Sequence, residues 1–351
     1  MKNGFLIYGC YGYTGKLISE FAIKQGMTPI LAGRDEAKTK ALAEELHLPY
    51  RVFDLANEQE IIDNINDLNV VLHCAGPFIY TSEKMANACI KTKTHYLDIT
   101  GEVDVFENLY TKDKAAKNAD VLLMSGVGFD VVPSDCLALF LKEELPDAVS
   151  LEMVLLQKGG MLSHGTAITI AENAAGKCMI RRNGKIIRVS NGTLTREVDF
   201  GDKTREAVAI SWGDVASAYR STGIPNITIY NALPKKVIDS MKWGNFFSFI
   251  LRNRFVKNQL IKAIKKRPAG PDETTRNSAS SAIYGEVKNA AGKTKRAILE
   301  LPEGYLLTAL TALKITQNIL STEPPHGAQT PAQVFGKDFI LQFEKVKRRI
   351  L

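Results

Sequence analysis

The sequence predicts an α/β protein of two domains, a doubly wound parallel sheet followed by a second α/β domain with a mixed or antiparallel sheet. Three observations point there. Up to about residue 145, apolar runs alternate with amphipathic stretches of helical period, the rhythm of a parallel sheet with helical crossovers. A glycine-rich turn, Gly9-Cys10-Tyr11-Gly12-Tyr13-Thr14-Gly15, directly follows the first apolar run, Phe5-Leu6-Ile7-Tyr8. From about residue 148 strand-like runs are joined instead by turns such as Asn183-Gly184 and Asn191-Gly192, pairs suited to tight hairpins.

In the first region strands are expected at 4–9, 28–32, 50–53, 69–74, 95–98 and 120–124, with helices at 13–26, 35–46, 57–66, 80–92 and 103–118. Six strands make a full Rossmann-type sheet, whose ligand crevice lies at the carboxyl ends of the strands. In the second region strands are expected at 149–156, 185–189, 194–200, 206–211, 226–231 and 294–301. Helices are expected near 164–181, 234–265 and 304–321, before an amphipathic tail ending Lys345–Arg349. The domains are therefore drawn as 1–140 for the first and 141–303 for a substrate or dimerisation domain. The segment from about 304 to 351 is a candidate to pack back on the first.

The glycine-rich turn carries the first chemical reading. A turn of this kind brings backbone N–H groups and a helix N-terminus close to a pyrophosphate, and side chains there would block the approach. The plain alternative is a tight turn with small residues for packing. An NAD enzyme usually ends its second strand in Asp or Glu, which bonds the ribose 2′-OH. Here Ala32-Gly33 is followed by Arg34, whose forked cation suits a 2′-phosphate. The expected cofactor is thus NADP(H), held by Gly9, Gly12, Tyr13, Thr14, Gly15 and Arg34. Other strand ends add Asp54, Leu55, Ala75, Gly76, Pro77, Gly128 and Phe129.

Bulk properties narrow the class. The 351 residues carry a net charge of +7, compatible with an anionic cofactor and requiring no nucleic acid. Five cysteines (Cys10, Cys74, Cys89, Cys136 and Cys178) show neither CxxC nor zinc-ligand spacing, so no metal is expected and a reducing cytoplasm is the expected location. The N-terminus shows no signal-peptide pattern and no run of 18 apolar residues occurs. Residues 242–267 hold eight Lys and Arg and no acid. They fit either peripheral contact with an anionic membrane or acyl groove, or a packed helix with a solvated basic face, which is the plainer account.

The proton chemistry is less sharply marked. YxxxK occurs at Tyr80/Lys84, Tyr110/Lys114 and Tyr284/Lys288, and none lies on the helix that such a catalytic pair needs. Tyr80 alone follows a strand end. Tyr96-Leu97-Asp98-Ile99-Thr100-Gly101-Glu102 presents two carboxylates at the crevice, so Asp98 and Glu102 are candidate proton donors, followed by Tyr80 and then the second domain, although Thr100 or Glu102 equally suits a helix cap. Gly126–Asp135 has a capping account, with Asp130 ahead of Pro133, but its place at the crevice favours a binding role. Cys74 reads as a buried apolar filler.

Together GCYGYTG, AGR, CAGPF, YLDITGE and GVGFDVVPSD, in this order and spacing, resemble the saccharopine dehydrogenase-like NADP oxidoreductases. The nearer likeness is to the short branch that includes the trans-acting enoyl reductases. Further likeness lies at His164-Gly165-Thr166, Trp212-Gly213-Asp214, Gly304–Thr308 and Gly327–Gly336. The resemblance implies a Rossmann domain, an α/β substrate domain and dinucleotide contacts at Gly9, Gly12, Tyr13, Thr14, Gly15, Arg34, Ala75, Gly76 and Pro77. Family members commonly read GATGYTG, and this chain departs from that at Cys10-Tyr11 while keeping every glycine. True saccharopine-forming enzymes are longer and their glutamate-binding residues have no match here, so saccharopine is not implied. The expected activity is NADPH-dependent hydride transfer to a C=C, C=N or C=O bond of a small or acyl-type substrate. Thr166 and Trp212 are plausible contributors from the second domain. A non-catalytic NADP sensor, a lipid-surface accessory protein and a homodimer stay open.

Overall fold

The computed structural model describes residues 4–173, 177–246 and 254–351. These form two units. Met1–Val132 and Tyr305–Val334 make the first; Pro133–Gly304 and Phe335–Leu351 make the second.

The first unit opens with β1 (Phe5–Tyr8), α1 (Tyr13–Lys24), β2 (Ile30–Gly33), α2 (Glu36–Leu46), β3 (Tyr50–Val52), α3 (Glu58–Ile65) and β4 (Val70–His73). It continues with α4 (Ser82–Thr92), β5 (His95–Asp98), α5 (Val103–Thr111), α6 (Asp113–Asn118) and β6 (Leu122–Met124). All pairings are parallel, in the order β6-β5-β4-β1-β2-β3, with a short strand at Gly327–Ala328 added outside β6. Every residue of β1 and β4 is buried, as a sheet covered by helices on both faces requires. The helices start where capping side chains allow. Asp35 accepts the Lys38 N–H at 3.1 Å and Asn57 accepts the Gln59 N–H at 3.0 Å. The single helix expected over 103–118 is split at Lys112, whose N–H turns back to Leu109 O at 2.9 Å.

The strand order reverses between β1 and β4. At such a switch the two neighbouring crossovers run to opposite faces and leave a crevice at the carboxyl ends. That crevice lies beside the glycine-rich turn.

The second unit takes most of α7 (Val132–Glu144), then β7 (Ala148–Lys158), α8 (His164–Asn173), β8 (Cys178–Arg182), β9 (Lys185–Val189), β10 (Thr195–Asp199) and β11 (Thr204–Ala209). There follow α9 (Asp214–Thr222), β12 (Asn226–Ala232), α10 (Lys235–Phe246), α11 (Arg254–Lys265), α12 (Glu273–Ser278), β13 (Ser280–Asn289) and β14 (Thr294–Pro302). The sheet is mixed: β12 and β7 are parallel and its other pairings antiparallel. It curls strongly, since Arg349 at one edge donates to Phe200 O beyond the other edge at 3.4 Å. Val154, Phe200, Tyr230, Tyr284 and Ile298 are among the side chains packed inside the curl.

The chain then returns to the first unit through α13 (Gly304–Ser321) and β15 (Gly327–Ala328), continues through α14 (Pro331–Phe335), and ends in β16 (Lys347–Ile350). The expected return of the whole segment 304–351 is corrected by this last strand. β16 pairs antiparallel with β14, so Phe335–Leu351 belongs to the second unit. The expected division at 140/141 falls inside α7. The units divide instead at Val132/Pro133, because Leu137 and Leu141 of α7 fill the space over Gly285 of β13.

Within the segment 242–267, residues 247–253 lie outside the described residues. In α11 Ile264 is buried, Val256 and Ile261 are half-buried, and Lys262 and Lys265 face solvent. Among the described residues no helix is long and apolar enough to cross a membrane.

The tightest packing in the first unit is between α1 and β1. A Cβ on Gly15 would stand 2.3 Å from Gly9 O, a backbone atom that cannot swing aside. Gly15→Ala is therefore expected to cost about 1–3 kcal/mol of stability, read as a lower urea midpoint. An unchanged midpoint would refute this account of the packing.

Candidate dinucleotide site

Three glycines of the turn do three different jobs. Gly9 has φ +84° and its missing Cβ lets Ala75, after β4, approach to 2.9 Å from the position it would take. Its N–H donates to Ala32 O at 2.8 Å, tying the turn to β2. Gly15 lets α1 close onto the turn. Gly12 is different. Its φ of −69° and ψ of 158° suit any residue, and a Cβ there would meet no protein atom within 4 Å except Gly9 O at 3.3 Å. Packing does not require glycine at this position, and its bareness leaves room beside the helix start. No side chain caps α1 at Gly12, and an uncapped helix start offers N–H donors and the positive end of the helix dipole to an anion. Tyr13 and Thr14 stand half-buried in that first turn, and Tyr305 of α13 meets Tyr13 edge-on with ring centroids 5.1 Å apart. The residues present fit a pyrophosphate.

Arg34 lies exposed at the end of β2. The acid that follows it, Asp35, is committed elsewhere. One oxygen caps α2 and the other pairs with Lys38 Nζ at 3.1 Å. The position that would hold a ribose-binding acid in an NAD site is thus filled by a cation, and the neighbouring acid is turned into the helix. After β3, Asp54 is exposed and bonds the Ala56 N–H at 2.7 Å, while Leu55 is buried in the core.

The loop after β4 is held from two sides. Thr81 Oγ1 donates to Ala75 O at 2.8 Å, so the His73 Nε2–H donates to Thr81 Oγ1 at 2.9 Å. Burial lowers the His73 pKa to about 3 and keeps its ring neutral. On the other side, Glu102 accepts the N–H groups of Phe78 at 2.8 Å and Ile79 at 3.0 Å. Both carboxylate oxygens are used to fix Pro77 and the turn that follows it, so Glu102 positions the loop rather than serving as a free proton donor.

Asp98 is likewise a clasp. It is fully buried, and each oxygen accepts two bonds: Oδ1 from the Thr100 and Gly126 N–H groups, both at 3.0 Å, and Oδ2 from Tyr96 at 2.9 Å and Ser125 at 2.7 Å. It joins the end of β5 to the end of β6, and burial raises its pKa against the pull of these bonds. Tyr80 is 67 % exposed on its short turn. Gly128 and Phe129 are buried. Gly128 packs on Thr308 of α13, and the Phe129 N–H donates to Thr308 Oγ1 at 3.0 Å. They anchor the loop that carries Asp130.

Asp130 lies in a segment that sequence reasoning placed at the crevice, with a cap or a binding role, but did not single out as an acid. It is half-buried beside Gly101, where a Cβ would lie 2.8 Å from its Oδ2. Burial pushes its pKa up to about 7. The available signal was its place after a strand end, which a helix cap also explained. Thr166 and Trp212 belong to the second unit. There Thr166 donates its N–H to Ser163 Oγ at 3.2 Å at the start of α8, and Trp212 O accepts the Val215 N–H at 3.0 Å.

The family model of the saccharopine dehydrogenase NADP binding domain matches residues 5–124. Residues 5–124 are a saccharopine dehydrogenase-type NADP-binding domain. A saccharopine dehydrogenase-like oxidoreductase of Bos taurus is 24 % identical over 221 residues, 57 % of this chain and 46 % of that protein. The trans-acting enoyl reductase of Mycobacterium leprae (strain TN) is 32 % identical over 140 residues, 37 % of this chain and 33 % of its own. The matched stretch thus spans less than half of either relative. The apo saccharopine dehydrogenase (L-Glu forming) of Saccharomyces cerevisiae has the same fold, with a TM-score of 0.67, 11 % identity and 99 % of each chain covered.

In this NADP-binding domain Gly12→Val is expected to fold with an unchanged melting temperature and to lose NADPH binding in a fluorescence titration. Retained binding would place the pyrophosphate elsewhere. Arg34→Glu is expected to weaken NADPH by about tenfold or more, the scale of a charge-assisted bond to phosphate, and to spare NADH. Equal NADPH affinity in wild type and variant would remove Arg34 from the 2′-phosphate.

Proposed function

We propose that the chain is an NADPH-dependent reductase that delivers hydride to a C=C, C=N or C=O bond of a small or acyl-type substrate, with Asp130 as the proton donor. Bound NADPH supplies the hydride; the chain's own residues hold the cofactor and manage the proton. The observation that carries the reading is Asp130, a half-buried carboxyl at the carboxyl ends of the strands whose loss of solvent raises its pKa to about 7. Asp98 and Glu102 have every oxygen committed to backbone or hydroxyl donors. Asp130 is half-buried on the loop after β6. A carboxyl group raised to about 7 by loss of solvent is in the range where a side chain can both hold and release a proton near neutral pH.

The test follows NADPH consumption, by loss of reduced-nicotinamide absorbance, across enoyl, imine and carbonyl panels. Turnover in one class is the expected result. Tight NADPH binding with no consumption in any panel would favour a cofactor sensor instead. For an active substrate, reduction needs the protonated acid, so the rate is expected to fall as pH rises through about 7. Asp130→Asn is expected to remove that limb, to slow reduction by about a hundredfold and to leave NADPH affinity unchanged. An unaltered pH profile in the variant would assign the proton to another group.

A further inference from the structure

Lys38 occupies the third position of α2, four residues beyond Arg34. Its Nζ lies 5.7 Å from the centroid of the Tyr11 ring. That ring is laid directly on Gly33, the last residue of β2, where a Cβ would stand 2.4 Å from Tyr11 Cε1 and 3.1 Å from Cδ1. Tyr11 thus reaches from the glycine turn across the end of β2 to the first turn of α2. It is also one of the two positions at which the turn departs from the usual family motif.

We propose that Lys38, held over the Tyr11 ring, is a second cation for the ribose 2′-phosphate, and that Tyr11 is a positioning residue for it. This deepens the NADP-binding assignment and rests on it. A phosphomonoester has three terminal oxygens and close to two negative charges, more than one guanidinium fork satisfies. The start of α2 adds its own positive dipole end to the two side chains. Lys38 is paired with Asp35 at 3.1 Å, but the two side chains are 65 % and 38 % exposed, and an exposed pair of this kind is weak. The four-carbon stem lets the ammonium leave the carboxylate for a dianion while Asp35 keeps its cap on the Lys38 N–H. The face of Tyr11 favours a cation on that side. A Thr at position 11 would leave Gly33 uncovered and remove that face.

The experiment is calorimetric titration of the full chain with NADP+ and, separately, NAD+, at low and moderate salt. Lys38→Gln is expected to weaken NADP+ by about tenfold, to keep NAD+ within about twofold of wild type, and to flatten the salt dependence of NADP+ binding. Tyr11→Phe keeps the ring and is expected to bind NADP+ as wild type does. Tyr11→Thr is expected to weaken NADP+ alone, by about threefold. Wild-type affinity for NADP+ in Lys38→Gln would overturn the proposal, as would equal losses for both nucleotides in a variant whose melting temperature is unchanged. Failure of the wild-type chain to bind either nucleotide would overturn the NADP-binding assignment itself, a distinct result.

Discussion

One close approach of backbone to backbone sets the geometry of the site. Around the first turn, α1 is pressed onto Gly9 by the absent side chain of Gly15, and Ala75 is pressed onto Gly9 by the absent side chain of Gly9 itself. These contacts bring the start of α1 and the loop after β4 together at the point where the strand order reverses. A ligand entering there meets helix-end donors on one side and Ala75–Pro77 on the other. Gly12 adds nothing to that packing, which separates it from the two glycines that the fold itself requires.

The carboxylates show why strand ends alone do not reveal chemistry. From the sequence, Asp98 and Glu102 look like the acids of the crevice, because one ends β5 and the other lies just beyond it. What decides their role is how many donors point at them, and several of those donors lie far away in the chain: Ser125 and Gly126, beside the local Tyr96 and Thr100, for Asp98, and Phe78 and Ile79 for Glu102. A carboxylate so surrounded is a fastener. Asp130 was legible as a residue at the crevice but not as an acid of altered strength, since burial is a property of the packed loop.

The first sheet was readable because each parallel strand is a short apolar run followed by an amphipathic crossover, and all six expected strands appear. The second sheet was half readable. β13 was missed because Gly285, Glu286 and Lys288 interrupt its apolar pattern, although the gap at Gly285 is what admits Leu141 of α7. β16 reads as a basic tail, since Lys347, Arg348 and Arg349 dominate it, and charge is a common feature of edge strands. α9 buries Val215, Ala216, Ser217 and Ala218 in succession, so it has no clear apolar face to detect. The expected helix over 164–181 is present as α8 over His164–Asn173, but Cys178 already begins β8.

The returning helix explains why the first unit is not one continuous stretch of chain. The loop after β6 leaves this unit at Val132, and α13 re-enters it at Tyr305. Thr308 accepts the Phe129 N–H at 3.0 Å and Thr311 donates to Val127 O at 2.8 Å, so the outgoing and incoming strands of chain are fastened to each other beside Asp130. β15 then covers the edge of β6, pairing Gly327 with Leu122 and Ala328 with Leu123. The family match at residues 5–124 ends at the last residue of β6, one loop short of this fastening. The dinucleotide cradle is therefore encoded within the matched stretch. The acid that would complete its chemistry is placed by residues about 180 positions later, and the two are joined only when the chain has folded back on itself.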